Sequence, residues 1–176
     1  MIDMAGTATP ATTVLDRSGV SYRLHTYVHA KGTTRFGEEA ADVLTARLGV
    51  DAVRILKTLV ITASGGAATR PFTAVAVLPV TATLSTKAAA AALGAGRAAM
   101  ADPAVARRAT GYVLGGVSPL GPWCTGARPA LPTVVDESVA AADTVFCSGG
   151  RRGLEIEIAP ADLIALTGAV LTDLTR

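Results

Sequence analysis

Apolar and polar positions along the chain switch several times between a helical period of about 3.6 and a strand period of 2, and the switches divide it into short elements. Thr9-Pro10 reads as an N-cap followed by proline at the first helical position, opening a helix that stops at Gly19. Tyr22 to Tyr27 alternates as a strand, and 28–35 is polar and glycine-containing, hence a loop. Helical spacing then runs from Glu38 to Leu48, with Gly49 as a left-handed cap. Ile55 to Ala63 and Phe72 to Val80 are strands, and Ser64-Gly65-Gly66 between them predicts an antiparallel hairpin. Ser85 and Asp102-Pro103 open two further helices that stop at Gly94 and Gly111. A loop over 115–131 comes next, then short strands near 132–136, 144–147 and 154–158, a helix from Pro160, and a last short strand near 169–174.

Strands interleaved with helices and at least one hairpin predict an α+β (mixed α/β) single domain, with a mixed, mostly antiparallel sheet flanked by helices. Residues 1–8 read as a flexible tail and 9–176 as the domain; 176 residues bury a core without a disulfide or structural metal.

Half the residues are apolar and only 4% aromatic, so the core falls to Ala, Val, Leu and Ile. No apolar run reaches the length of a membrane span, and the start lacks a secretory pattern. Cys124 and Cys147 show no motif spacing, which with the missing leader favours the cytoplasm. A net charge of +2 requires any nucleic-acid contact to come from a local patch.

Lys57 is one of only three lysines, the others being Lys31 and Lys87. It sits in the apolar strand Ile55-Leu-Lys-Thr-Leu-Val-Ile61, where alternation puts it on one face with Ile55 and Leu59. A cation there is either a group facing a cleft or a snorkelling edge lysine. Gly115-Gly-Val-Ser-Pro-Leu-Gly121 can turn several backbone N–H groups toward a ligand, or be a plain turn. Ser148-Gly-Gly150 with Arg151-Arg152-Gly153 adds a hydroxyl and two guanidinium groups suited to phosphate or carboxylate.

Other patterns fail. His25 and His29 are four apart but lack the Glu of a zinc-protease helix. Lys57-Thr58 follows no glycine-rich loop. Ser118 precedes proline and leucine where a nucleophile elbow needs glycine, and Cys147 ends an apolar strand. No metal set and no Ser-His-acid triad can be read.

His25-Thr-Tyr27, Phe36-Gly-Glu38, Leu56-Lys-Thr58, Met100-Ala-Asp-Pro103, Thr110-Gly-Tyr112, Gly115 to Gly121, Leu131-Pro-Thr133 and Ser148-Gly-Gly150 with Arg152-Gly153 carry, in this order, a resemblance. Over roughly residues 10–174 the chain resembles the YbaK/EbsC family of Cys-tRNA(Pro) deacylases, related to the editing domain inserted in bacterial prolyl-tRNA synthetases. The resemblance implies an aminoacyl-tRNA deacylase that clears mischarged Cys-tRNA(Pro), and also Cys-tRNA(Cys), with no cofactor and no metal. Lys57, Gly115 and Gly116 fall on its catalytic positions; Tyr27, Phe36, Thr58, Ser118, Ser148, Gly149 and Glu155 fall on substrate-binding ones. Glu155 stands where the family has aspartate, and Pro122 to Ala130 is longer than the usual connection. The resemblance further implies that the substrate's own thiol assists, and it names as partners the 3′ acceptor end of tRNA and prolyl-tRNA synthetase, with neither membrane nor DNA. Deacylation of Ala-tRNA or of another small amino acid, and a non-catalytic tRNA-end or synthetase-binding module, stay open as alternatives.

Overall fold

The computed structural model describes residues 6–176. The element order is α1 (Pro10–Ser18), β1 (Tyr22–Thr26), α2 (Phe36–Leu48), β2 (Leu56–Gly65), β3 (Ala68–Pro79), α3 (Thr86–Ala92), β4 (Arg97–Met100), α4 (Pro103–Thr110), β5 (Thr133–Asp136), β6 (Val145–Ser148), β7 (Leu154–Ile158), α5 (Pro160–Thr167) and β8 (Val170–Thr172). The helices begin and end largely where local chemistry dictates. Thr9 caps α1 through its side chain and exchanges a capping box with Thr12, while Gly19, Gly49, Gly111 and Gly168 close four helices with positive φ. The expected tail, 1–8, lies outside the described residues for its first five positions; Thr7, near its end, is buried.

The strands form two sheets where the sequence pattern expects one. A three-stranded antiparallel sheet has the order β1-β7-β6; a five-stranded mixed sheet runs β4-β2-β3-β5-β8, with β3-β5 and β5-β8 parallel. A single parallel bridge, Ile55 to Phe146, links the two. β4 is an addition to the expected elements; it pairs with β2 from Ile61 opposite Met100 to Ser64 opposite Arg97.

β3 is the spine because both its faces are covered. Val75 and Val77 point into a cluster with Ala11, Leu15, Cys147, Ile156 and Leu163, so α1, α5 and the apolar face of the small sheet pack on that side. Ala74, Ala76 and Leu78 point the other way, against Leu84, Ala89, Val134 and Leu174. Burial on both faces explains the near-continuous apolar run from Phe72 to Val80. A third cluster sets Ala40, Ala41 and Leu44 of α2 against Ile55 and Phe146, so α2 covers the polar face of the small sheet. That placement brings the first turn of α2 beside β2 and the end of β7.

Candidate active site

Lys57 lies on β2 opposite Leu78. Pro79 ends β3, and the chain turns so that the carbonyls of Val80 and Ala82 point back at it; Nζ donates to Val80 at 3.4 Å and also to Ala82. Burial lowers its pKa, and the nearby Glu38 carboxylate opposes that shift. An ammonium has three protons, so two carbonyls leave one donor for a ligand. This is the cleft-facing reading of Lys57, not the snorkelling one.

The two glycine segments pack against each other and against α2. At Gly115 φ is +83°, and a Cβ there would stand 2.5 Å from the ring of Phe36, the first residue of α2. The Arg152 guanidinium lies over the same ring, 4.6 Å from its centroid, and Nε donates to the Leu114 carbonyl at 2.9 Å. Gly116 sits behind, where a Cβ would be 2.9 Å from Arg151 Cα; its N–H donates to the Val113 carbonyl at 2.9 Å. Gly149 is buried, and its carbonyl accepts from Thr9 Oγ1 at 2.6 Å, tying the start of α1 to this loop.

Between these parts lies a cavity of about 280 Å³. Phe36, Lys57, Thr58, Gly115, Ser148 and Glu155, all expected from the sequence, line it together. Tyr27, Gly116, Ser118 and Gly149 do not. The Tyr27 backbone N–H pairs with the Gly153 carbonyl, and burial, then the charges of Glu155 and Glu39, raise the pKa of its phenol. Ser118 is fully buried, and its Oγ accepts from the Leu120 N–H, so it holds the turn. Sequence reasoning missed the contribution of Thr34, Arg35, Gly37 and Glu38, the start of α2. Arg35 is an N-cap without a side-chain hydrogen bond, which is why the capping signals gave no sign of a helix beginning there.

Two polar groups on the wall lack partners. Thr58 Oγ1 is buried with no hydrogen bond. Glu155, paired in register with His25 on β1 and Ser148 on β6, is 7% exposed, and its carboxylate has no hydrogen bond or ion pair among the described residues. Desolvation pushes its pKa up to about 8. Buried groups without partners are costly, and a cavity that collects them is suited to a polar ligand.

A model of the aminoacyl-tRNA editing domain matches residues 38–166. The chain belongs to the aminoacyl-tRNA editing domain family. A relative from Enterococcus faecalis, a candidate Cys-tRNA(Pro)/Cys-tRNA(Cys) deacylase named EbsC, is 32% identical over 136 residues, 77% of each chain. The crystal structure of a candidate trans-editing enzyme for prolyl-tRNA synthetase superposes with a TM-score of 0.75 at 25% identity, covering 99% of both chains. That of a hypothetical protein gives 0.74 at 27% identity over 96% of this chain and all of the other.

Among the described residues of this editing domain, neither cysteine is set up as a nucleophile and neither histidine as its base. Cys147 is fully buried on the apolar face of β6, where burial and then the Glu155 charge raise its pKa. Cys124 is also raised, chiefly by burial, and its thiol points at the Pro119 carbonyl. The histidines serve carboxylates elsewhere: His25 Nε2 meets Glu157 at 2.9 Å, and His29 Nδ1 meets Glu39 at 2.5 Å. Among the described residues no group of three or more His, Cys, Asp or Glu could hold a metal ion, and no helix is long and apolar enough to cross a membrane.

Proposed function

We propose that this editing domain is a trans-acting deacylase for mischarged Cys-tRNA(Pro), with Cys-tRNA(Cys) as a second substrate, working in the cytoplasm beside prolyl-tRNA synthetase. The observation that carries the reading is the cavity itself: a cation, a positive-φ glycine, the unbonded Thr58 hydroxyl and the buried Glu155 carboxyl line it, and no thiol or imidazole does. The names of the relatives point the same way.

A volume of about 280 Å³ lies at the lower end for small-molecule sites, so it takes the aminoacyl group while the rest of the tRNA stays outside. Lys57 offers its third proton to the ester or the terminal ribose. The Gly115 N–H faces the charge that develops on the carbonyl oxygen, an effect worth roughly 3 to 4 kcal/mol per donor. Gly116 supports that loop, since its own N–H is already bonded. Glu155 meets the amino group of the substrate; a cation beside it draws its pKa back down and restores its charge. The Thr58 hydroxyl and Ser148 complete the polar wall.

With no enzyme nucleophile, the substrate's thiol attacks its own ester. A C–S bond forms at the carbonyl carbon, the C–O bond to the ribose breaks, and the thiol proton passes to the ribose oxygen. Free tRNA and a cyclic thiolactone leave, and water later opens the thiolactone to cysteine.

The test is release of amino acid from Cys-, Ala- and Ser-charged tRNA(Pro), with and without prolyl-tRNA synthetase. Cysteine should be released at least about tenfold faster than the others, because only it carries a thiol. Equal clearance of alanine would replace the thiol route by attack of water. Binding of tRNA without any ester cleavage would sink the deacylase reading.

A further inference from the structure

The net charge of +2 conceals an uneven distribution. From 103 to 135 there is no Asp or Glu, and from 144 to 154 there is none either, yet these two segments hold Arg107, Arg108, Arg128, Arg151 and Arg152. Arg152 is engaged with Phe36 and Leu114 at the cavity. The other four are exposed, and none of their guanidinium groups makes a hydrogen bond or ion pair among the described residues.

The fold gathers them. Arg107 and Arg108 are in the last turn of α4, which Gly111 closes. Arg128 Nη1 lies 4.0 Å from where a Cβ on Gly111 would be. The next residue, Tyr112, packs against Gly150, where a Cβ would come within 2.8 Å of its ring, and Gly150 precedes Arg151. Two and three residues beyond Tyr112 the chain reaches Leu114 and Gly115 on the cavity wall. Val113 and Leu114, 44% and 65% exposed, lie between the arginines and the cavity. A helix C-terminus favours cations, which accounts for Arg107 and Arg108, but Arg128 and Arg151 cap no helix. Four unpaired like charges repel one another unless an anion meets them.

We infer that Arg107, Arg108, Arg128 and Arg151 form a dock for the sugar-phosphate backbone of the tRNA acceptor stem, with the unpaired 3′ nucleotides crossing Val113 and Leu114 to the cavity. The order of chemistry along the surface matches that of the ligand: ester in the cavity, bases over apolar side chains, phosphates over guanidinium groups. This rests on the deacylase reading for the identity of the RNA. It locates on the protein how a whole tRNA is held, which the cavity cannot do.

The experiment compares the wild type with a variant carrying Arg107→Ala, Arg108→Ala and Arg128→Ala, and with Arg70→Ala as control. Arg70 is exposed and lies eight residues along β3 from Leu78, the partner of Lys57, so roughly 25 Å from the cavity. Two substrates are used, full-length Cys-tRNA(Pro) and a cysteinyl ester of the terminal CCA trinucleotide. For the full tRNA the triple variant should raise KM on the order of tenfold at constant kcat and flatten the log-log salt dependence by about 2 to 3 units. Turnover of the short ester should not change, and Arg70→Ala should match the wild type on both. Equal KM and salt slope in wild type and triple variant overturn the dock. So does a defect seen only when prolyl-tRNA synthetase is present, which would make the patch a protein interface. If the wild type cleaves neither ester, the deacylase reading fails separately; the dock is then judged by anisotropy with uncharged tRNA, where equal Kd values overturn it and a weaker triple variant upholds it.

Discussion

Two carboxylates two residues apart on the same face of β7 have opposite surroundings. At one end of that face, Glu157 receives His25 at 2.9 Å and the Thr144 hydroxyl at 2.9 Å, and Arg54 in turn holds Thr144. Desolvation pushes the Glu157 pKa up, but the hydrogen bonds from His25 and Thr144 with the charges of His25 and Arg23 outweigh it and leave the group below its ordinary value. At the other end, Glu155 is more deeply buried, meets no donor, and is raised to about 8. The fold supplies partners where the sheet is only structure and withholds them where the cavity begins. An unsatisfied carboxyl lining the same cavity as an unsatisfied Thr58 hydroxyl marks the end of the strand kept for a ligand.

The largest expected effect tests whether the open end is where chemistry happens. Lys57→Ala should lower kcat/KM for Cys-tRNA(Pro) by about 10²- to 10³-fold. Its melting temperature should stay close to the wild type's, because the Val80 and Ala82 carbonyls then open to water in the cavity. Near-normal turnover by the folded variant would remove the cavity from the reaction.

Next comes Glu155→Gln, expected to fold more stably and edit more slowly. The unfolded carboxyl ionises near 4.5 and the folded one near 8. Stability conferred by the protonated form is therefore complete below 4.5 and is lost as pH rises toward 8. At pH 7 the deficit is about 3 kcal/mol, which the amide removes. Denaturant melts of both proteins from pH 5 to 8 should diverge with rising pH; parallel curves would mean that Glu155 has a partner in solution.

Glu157→Gln should do the reverse, losing about 1 to 2 kcal/mol near neutrality and keeping deacylation within about twofold. Its sign with pH is opposite too: the Glu157 contribution is present above the ordinary carboxylate range and disappears as pH falls through its depressed value. The smallest effect is at Ser118→Ala, where the lost hydrogen bond to Leu120 costs about 1 kcal/mol and activity changes less than about twofold. A large activity loss there would restore this serine to the site.

The helices were legible because their signals are local: Thr9, Ser85 and Asp102 each cap a helix whose first turn lies within three residues of the cap. The division into two sheets was not, because β1 must find β7 some 130 residues later, and nothing near Tyr22 names that partner. β4 escaped because Arg97–Met100 is only four residues, two of them alanine, that become a strand only by adding to the exposed edge of β2. Lys57 stood out as a charge in an apolar run. Gly116 and Ser118 shared the motif of Gly115, but the turn directs one against Arg151 and the other into the core, a distinction made by backbone angles that sequence does not display. The isolation of Glu155 was equally hidden, since a missing partner leaves no letter in the chain.

The bond from Thr9 to Gly149 has a practical side. The stretch ahead of the first helix looks like disposable leader, a natural place to trim or to attach an affinity tag. Yet the hydroxyl that starts α1 also clamps the loop behind Ser148, and a side chain on Gly150 would come within 3.3 Å of it. Shortening the protein past this threonine would loosen the editing cavity from behind, so a weakly active preparation should first be checked for where its tag was joined.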